Sequence, residues 1–196
     1  MKRMILISTG LALALATGCV LTSVYPFYFE KDLVFEPALL GSWQKAGQTD
    51  EQWQFTKDKA IGYRVTWLSK DTTNALQGQM FKLQGEKFLD LSAAQWKDDI
   101  QPEPVPSHLL VRITLAAPAL KMAFLNYDWL GKLVTENPKT IRHIFVKTGD
   151  KPEDRRLILT ADTAELQQFV TKHLKTEDAW SEGSELRTDT PEPPSR

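Results

Sequence analysis

Several kinds of side chain in this sequence could do chemistry, and their spacing separates them. His108, His143 and His173 could ligate a metal or move protons, but they fall on two different strands and a helix. No His-x-x-x-His or carboxylate spacing gathers ligands around them, so each reads as structural or solvent-facing. Asp90, Asp98, Asp99 and Asp128 could pair as acid and base, yet spacing alone carries no shifted pKa, and they read as surface carboxylates. Ser107 and His108 are adjacent, which turns them to opposite faces of a strand, and there is no Gly-x-Ser-x-Gly elbow. Gly78 and Gly85 stand singly, so no phosphate-cradling loop forms. There remains Cys19, the single cysteine of 196 residues, directly after Ala16-Thr17-Gly18.

What precedes Cys19 defines its chemistry. Met1-Lys2-Arg3 is a short cationic segment, Met4 to Ala16 is an apolar run too short to span a bilayer, and Ala16-Thr17-Gly18 supplies the small residues of a cleavage site. This is an export signal over residues 1–18. With the cysteine added, the stretch resembles the lipobox of bacterial lipoproteins, although Ala16 stands where that family usually has Leu. The resemblance implies a diacylglycerol thioether on Cys19, cleavage before it and acylation of the new amino terminus. It implies a lipid-anchored protein of the bacterial cell envelope. Val20, which is not the aspartate that retains such proteins in the inner membrane, points to the outer membrane facing the periplasm. Several acyl chains at about 0.8 kcal/mol per buried CH₂ make such an anchor stable. Covalent acyl lipid is then the only cofactor-like group expected, and no thiol remains for a disulfide, a metal or a nucleophile.

Composition narrows the remainder. The formal net charge of −1 becomes −3 once Lys2 and Arg3 leave with the signal, a balance that argues against nucleic acid as a partner. Residues 19–38 form the lipidated terminus and an aromatic strap, in which Tyr25, Phe27, Tyr28 and Phe29 crowd around Pro26. Such a segment packs on the domain as a strap or lies at the headgroup level as an aromatic belt.

The elements that position everything else lie in residues 39–175, a single β-rich domain. Residues 41–46 and 51–57 flank Gly47-Gln48-Thr49-Asp50 as a hairpin, and Ile61, Tyr63, Val65 and Trp67 alternate in a half-buried strand. Residues 70–74 read as a turn, and residues 76–84 and 87–91 as the next pair. Pro102, Pro104 and Pro106 mark a crossover loop over residues 97–107. Strands resume at 109–115 and 120–124, and again at 141–147 and 155–160. A short helix is expected near 127–137, capped by Asn126 or Asp128 and ended by Asn137-Pro138. A C-terminal helix is expected near 162–175, where Asp162 and Glu165 resemble a capping box. Residues 176–196, rich in Glu, Asp, Ser, Thr and Pro, read as a disordered acidic tail. The fold class is mainly β with minor α: an antiparallel meander closing into a barrel or half-barrel of about eight strands.

Gly41-x-Trp43, after an N-terminal strap and at the start of the first strand of such a meander, resembles the opening motif of the lipocalins and their calycin relatives. The resemblance implies a barrel end closed by Trp43 and covered by an arginine from a late strand, with Arg155 or Arg156 as the candidates. The Thr-Asp-Tyr motif of that family is missing. Trp43, Trp53, Tyr63, Trp67 and Phe81 are the candidate ligand-binding residues, with Phe55, Phe88 and Phe124 on the same alternation. Two readings stay open. The chain is a non-catalytic, membrane-anchored module binding a small apolar ligand such as a fatty acid or lysolipid, or it is an envelope interaction protein whose aromatics fill the core.

Overall fold

The computed structural model describes residues 21–48, 50–58, 61–70, 72–93, 107–151 and 154–188. The stretch read as an export signal, Cys19, Asp98, Asp99 and the three prolines read as a crossover loop lie outside the described residues. Within them the protein is mainly β. Eight strands close into an antiparallel barrel: β2 (Gly41–Gln44), β3 (Glu51–Asp58), β4 (Gly62–Ser69), β5 (Thr72–Leu83), β6 (Glu86–Ala93), β7 (His108–Ala116), β8 (Ala119–Phe124) and β11 (Ser184–Thr188). Each of the first six pairs with its successor in sequence, and β11 inserts between β8 and β2 to complete the ring. This is the lipocalin-like arrangement expected from the meander.

A small second sheet branches from β7. Where β8 ends, β1 (Thr22–Ser23) takes up the edge of β7 at His108 and continues in parallel to β10 (Arg155–Leu159), which pairs with β9 (His143–Lys147). Two helices, α1 (Tyr127–Glu136) and α2 (Thr163–His173), flank this sheet in sequence.

Local chemistry explains the joints. Gln84 and Gly85 both take positive φ, 52° and 82°, the two-residue turn whose twist matches antiparallel strands. The Asn126 side-chain oxygen accepts from the Asp128 and Trp129 N–H groups at 3.0 and 3.2 Å and starts α1. Asp162 caps α2 by accepting from Glu165 N–H at 3.0 Å. The Glu165 carboxylate does not complete the capping box; it holds the Arg142 backbone N–H and guanidinium instead.

The barrel wall separates two cores. Inside are Trp43, Trp53, Phe55, Tyr63, Val65, Met80, Leu89, Leu91, Val111 and Ile113 with their neighbours. Outside, α1, α2 and the second sheet cover Phe81, Phe88 and Leu110 on the outer face of β5 to β7. Phe88, Leu89, Asp90 and Leu91 of β6 are consequently all buried, two on each face.

Two segments differ from the sequence expectation. Residues 176 onward, read as disordered, are structured as far as Thr188: a 3-10 turn at Glu177–Ala179, buried Ala179 and Trp180, and strand β11. A strand needs ladder partners more than apolar periodicity, and β11 finds them in β2 and β8, so one inward Leu186 suffices. Thr72, Thr73 and Asn74, read as part of a turn, already belong to β5, paired with Ser69, Leu68 and Trp67.

Candidate functional site

Trp43, Trp53, Tyr63 and Trp67 enter the barrel from one side of the wall, because β2, β3 and β4 align them: Trp43 opposite Trp53, and Trp53 opposite Trp67. The Trp53 and Trp67 rings stack with centroids 5.9 Å apart. Phe81 is different. It sits one residue beyond inward-facing Met80, on the outer face of β5, and stacks on Phe88 at 5.5 Å in the second core, so it lines no part of the interior. Phe88 shares that outer position, whereas Phe55 and Phe124 lie within.

The interior has two unlike ends. At one, residues 33–40 cross beneath the barrel as a strap. Val34 N–H donates to Met80 O at 2.9 Å, Phe35 stacks on Tyr63 at 5.1 Å, and Trp43 Nε1 donates to Leu39 O at 2.9 Å. The Tyr63 hydroxyl accepts from Glu36 N–H at 2.6 Å and donates to Glu36 O at 3.2 Å. Burial, helped by the nearby Glu36 charge, raises the Tyr63 pKa, so the hydroxyl stays protonated. The Lys87 ammonium donates to Glu36 at 2.6 Å, and that hydrogen bond holds the Glu36 carboxyl below its ordinary pKa.

Above the strap the interior is close-packed. Gly78 faces inward between Tyr63 and Leu91, and a Cβ built there would meet Val65 Cγ2 at 2.9 Å and Leu89 Cδ1 at 3.2 Å. Gly78→Ala is therefore expected to cost about 1–3 kcal/mol in urea denaturation, the price of overpacking. An unchanged midpoint would mean that the interior has room at this level.

The far end, toward the β2–β3 and β4–β5 connections, is looser. Leu76, Leu109 and Phe124 are only half-buried there, and Asn74, opposite Trp67, is exposed. Trp67 is 7% exposed, and its indole nitrogen is buried with no hydrogen-bond partner. A buried donor without an acceptor costs about 1–3 kcal/mol, so this N–H stands out in an otherwise apolar wall. Among the described interior residues it offers a ligand a polar handle.

Four other sequence candidates have structural work. Asp90, read as a surface carboxylate, is 2% exposed on the outer face of β6; it accepts from Phe27 N–H at 2.9 Å and pairs with His108 Nδ1 at 2.7 Å. The pair fastens the N-terminal segment to the barrel wall. Of the four strap aromatics, Phe27 is buried and Tyr28 packs on the second core, whereas Tyr25 and Phe29 are exposed at 48% and 39%. His143 Nδ1 lies 2.8 Å from Ile141 O, and His173 is wedged against Trp129 and Phe169. Among the described residues no group of three or more His, Cys, Asp or Glu could hold a metal. Arg155 does not cover Trp43: its guanidinium lies 4.1 Å over the Phe145 ring in the second sheet, and Arg156 is exposed on β10.

An outer groove of about 720 Å³ runs between β7, β8 and the segment after α2. Arg112, Lys121 and Lys175 line it against Glu177, Asp178 and Glu182, so its charge is balanced. Arg112 is already engaged, 3.1 Å from Glu86, 3.3 Å from Leu174 O and over the Trp180 ring. No helix among the described residues is long and apolar enough to cross a membrane. No family model, curated protein or solved structure matches this chain.

Proposed function

We propose that this chain is an envelope lipoprotein, acylated on Cys19, and a non-catalytic binding module in the outer membrane, whose barrel holds a small apolar ligand with one hydrogen-bond acceptor. A fatty acid or lysolipid has that chemistry. The observation that carries the reading is the unpartnered Trp67 N–H beside half-buried Leu76, Leu109 and Phe124, at the end of the barrel opposite the strap. The close-packed level at Gly78 limits the ligand to that far end. The same packing favours the second reading, an envelope interaction protein with a filled core.

Trp67→Phe separates the two. It removes the N–H and little volume, so stability should stay within about 1 kcal/mol or rise, because a buried orphan donor is lost. A photoreactive fatty acid added to membranes carrying the acylated protein should label peptides containing Trp67, Leu76, Leu109 or Phe124. Labelling should fall roughly tenfold or more in Trp67→Phe, the loss of one hydrogen bond to a charged acceptor. No labelling of these peptides in the parent protein favours the filled core.

A further inference from the structure

We propose that the outward face of the β1–β10–β9 sheet rests on the phospholipid bilayer that holds the anchor, an inference that depends on the acylation of Cys19. Side chains alternate across this sheet. Leu21, Ser23, Leu157 and Leu159 turn inward and are buried, whereas Thr22, Ile158, Ile144, Val146 and Arg156 share the opposite face through the pairs Thr22 with Ile158, Ile158 with Ile144, and Arg156 with Val146. Ile144 and Val146 are 48% and 39% exposed. The outer face of β3 and β4 is more polar: Gln52, Gln54, Thr56, Arg64 and Thr66 cover it, with Leu68 half-buried among them.

Chain length brings this face to the membrane. Cys19 precedes Thr22 by three residues, a reach of at most about 11 Å. From β1 to β9 is two strand spacings, about 10 Å. Acyl chains on Cys19 would therefore enter the bilayer within about 20 Å of Ile144. The charge fits as well. Arg142, on the same alternation, is neutralised by Asp162 and Glu165, but Arg156 has no ion-pair partner among the described residues, and none of the five side chains on the face is acidic. Apolar side chains beside a free guanidinium suit the boundary between acyl chains and phosphates.

The test uses the full acylated chain, in which the Cys19 thiol is blocked, reconstituted in phosphatidylethanolamine/phosphatidylglycerol vesicles doped with brominated phosphatidylcholine. A bimane label is placed at Ile144→Cys or, on the barrel wall, at Thr56→Cys. Quenching by the brominated acyl chains is expected to be several-fold stronger at 144 than at 56. Equal quenching at both sites, with labelled palmitate incorporated at Cys19, overturns the proposal and leaves the anchor intact. Absence of palmitate incorporation, itself lost in Cys19→Ser when present, removes the anchor and this proposal together. Shielding of 144 from aqueous quenchers without brominated-lipid quenching also overturns it, in favour of a protein strand added to the edge of β9 that has no partner among the described residues.

Discussion

A chain ending at Lys175 is expected to lose its cooperative thermal transition and its near-ultraviolet dichroism. Removing residues 176–196 takes away β11, leaving β2 and β8 with unpaired edges, and takes away Trp180, which packs on Phe88 at 5.7 Å and lies under Arg112. It also removes Leu186 from the interior. Truncating one buried tryptophan costs about 3–5 kcal/mol, and a whole domain is stable by about 5–15, so the loss of Trp180, Leu186 and the closing ladder should exhaust the margin. Trp180→Ala alone should show the smaller part, about 3–5 kcal/mol in urea denaturation. A truncated chain that melts with the parent would mean that β11 adds nothing to the barrel.

The second large effect is expected at Asp90. Its carboxylate is buried on the outer face of β6, and its two oxygens serve the Phe27 N–H and His108. Asp90→Ala strands both groups at once. Breaking a buried pair by deleting one partner costs about 3–5 kcal/mol, whereas His108→Ala, at a side chain already 13% exposed, should cost about half as much. In Asp90→Asn the side chain keeps its shape and one acceptor, which places it between the two. Thermal melts should fall by about 10 °C for Asp90→Ala in a protein of this size. Because Phe27 and Tyr28 pack through the same segment, limited proteolysis should cut first between residues 24 and 34. If Asp90→Ala and His108→Ala are equal and fully additive in the double variant, the two side chains are not coupled.

Much of the barrel was legible because β3 and β4 each have one wet and one dry face, so Trp53, Phe55, Tyr63, Val65 and Trp67 show a period of two. Where both faces are buried the period vanishes. In β5 and β6, Met80 and Phe81 or Phe88 and Leu89 are equally apolar, and only the register decides that Met80 and Leu89 turn inward while Phe81 and Phe88 turn out. The Asp90–His108 contact spans 18 residues and exists only because β6 pairs with β7, so neither residue signals it alone. β11 left no trace for a related reason: Ser184-Glu185-Leu186-Arg187-Thr188 has one apolar residue, and its contribution to closure is backbone pairing. The helices were the easiest to place, since caps at Asn126 and Asp162 are written in side-chain chemistry.

Native mass spectrometry of the acylated protein, released from membranes in lipid nanodiscs and then offered oleate and lysophosphatidylethanolamine, tests ligand binding most directly. The expected spectrum holds the acylated chain plus one non-covalent lipid, with the adduct sharply reduced in Trp67→Phe. An acylated chain that keeps its own mass with every lipid offered would contradict the binding-module reading and leave a filled barrel.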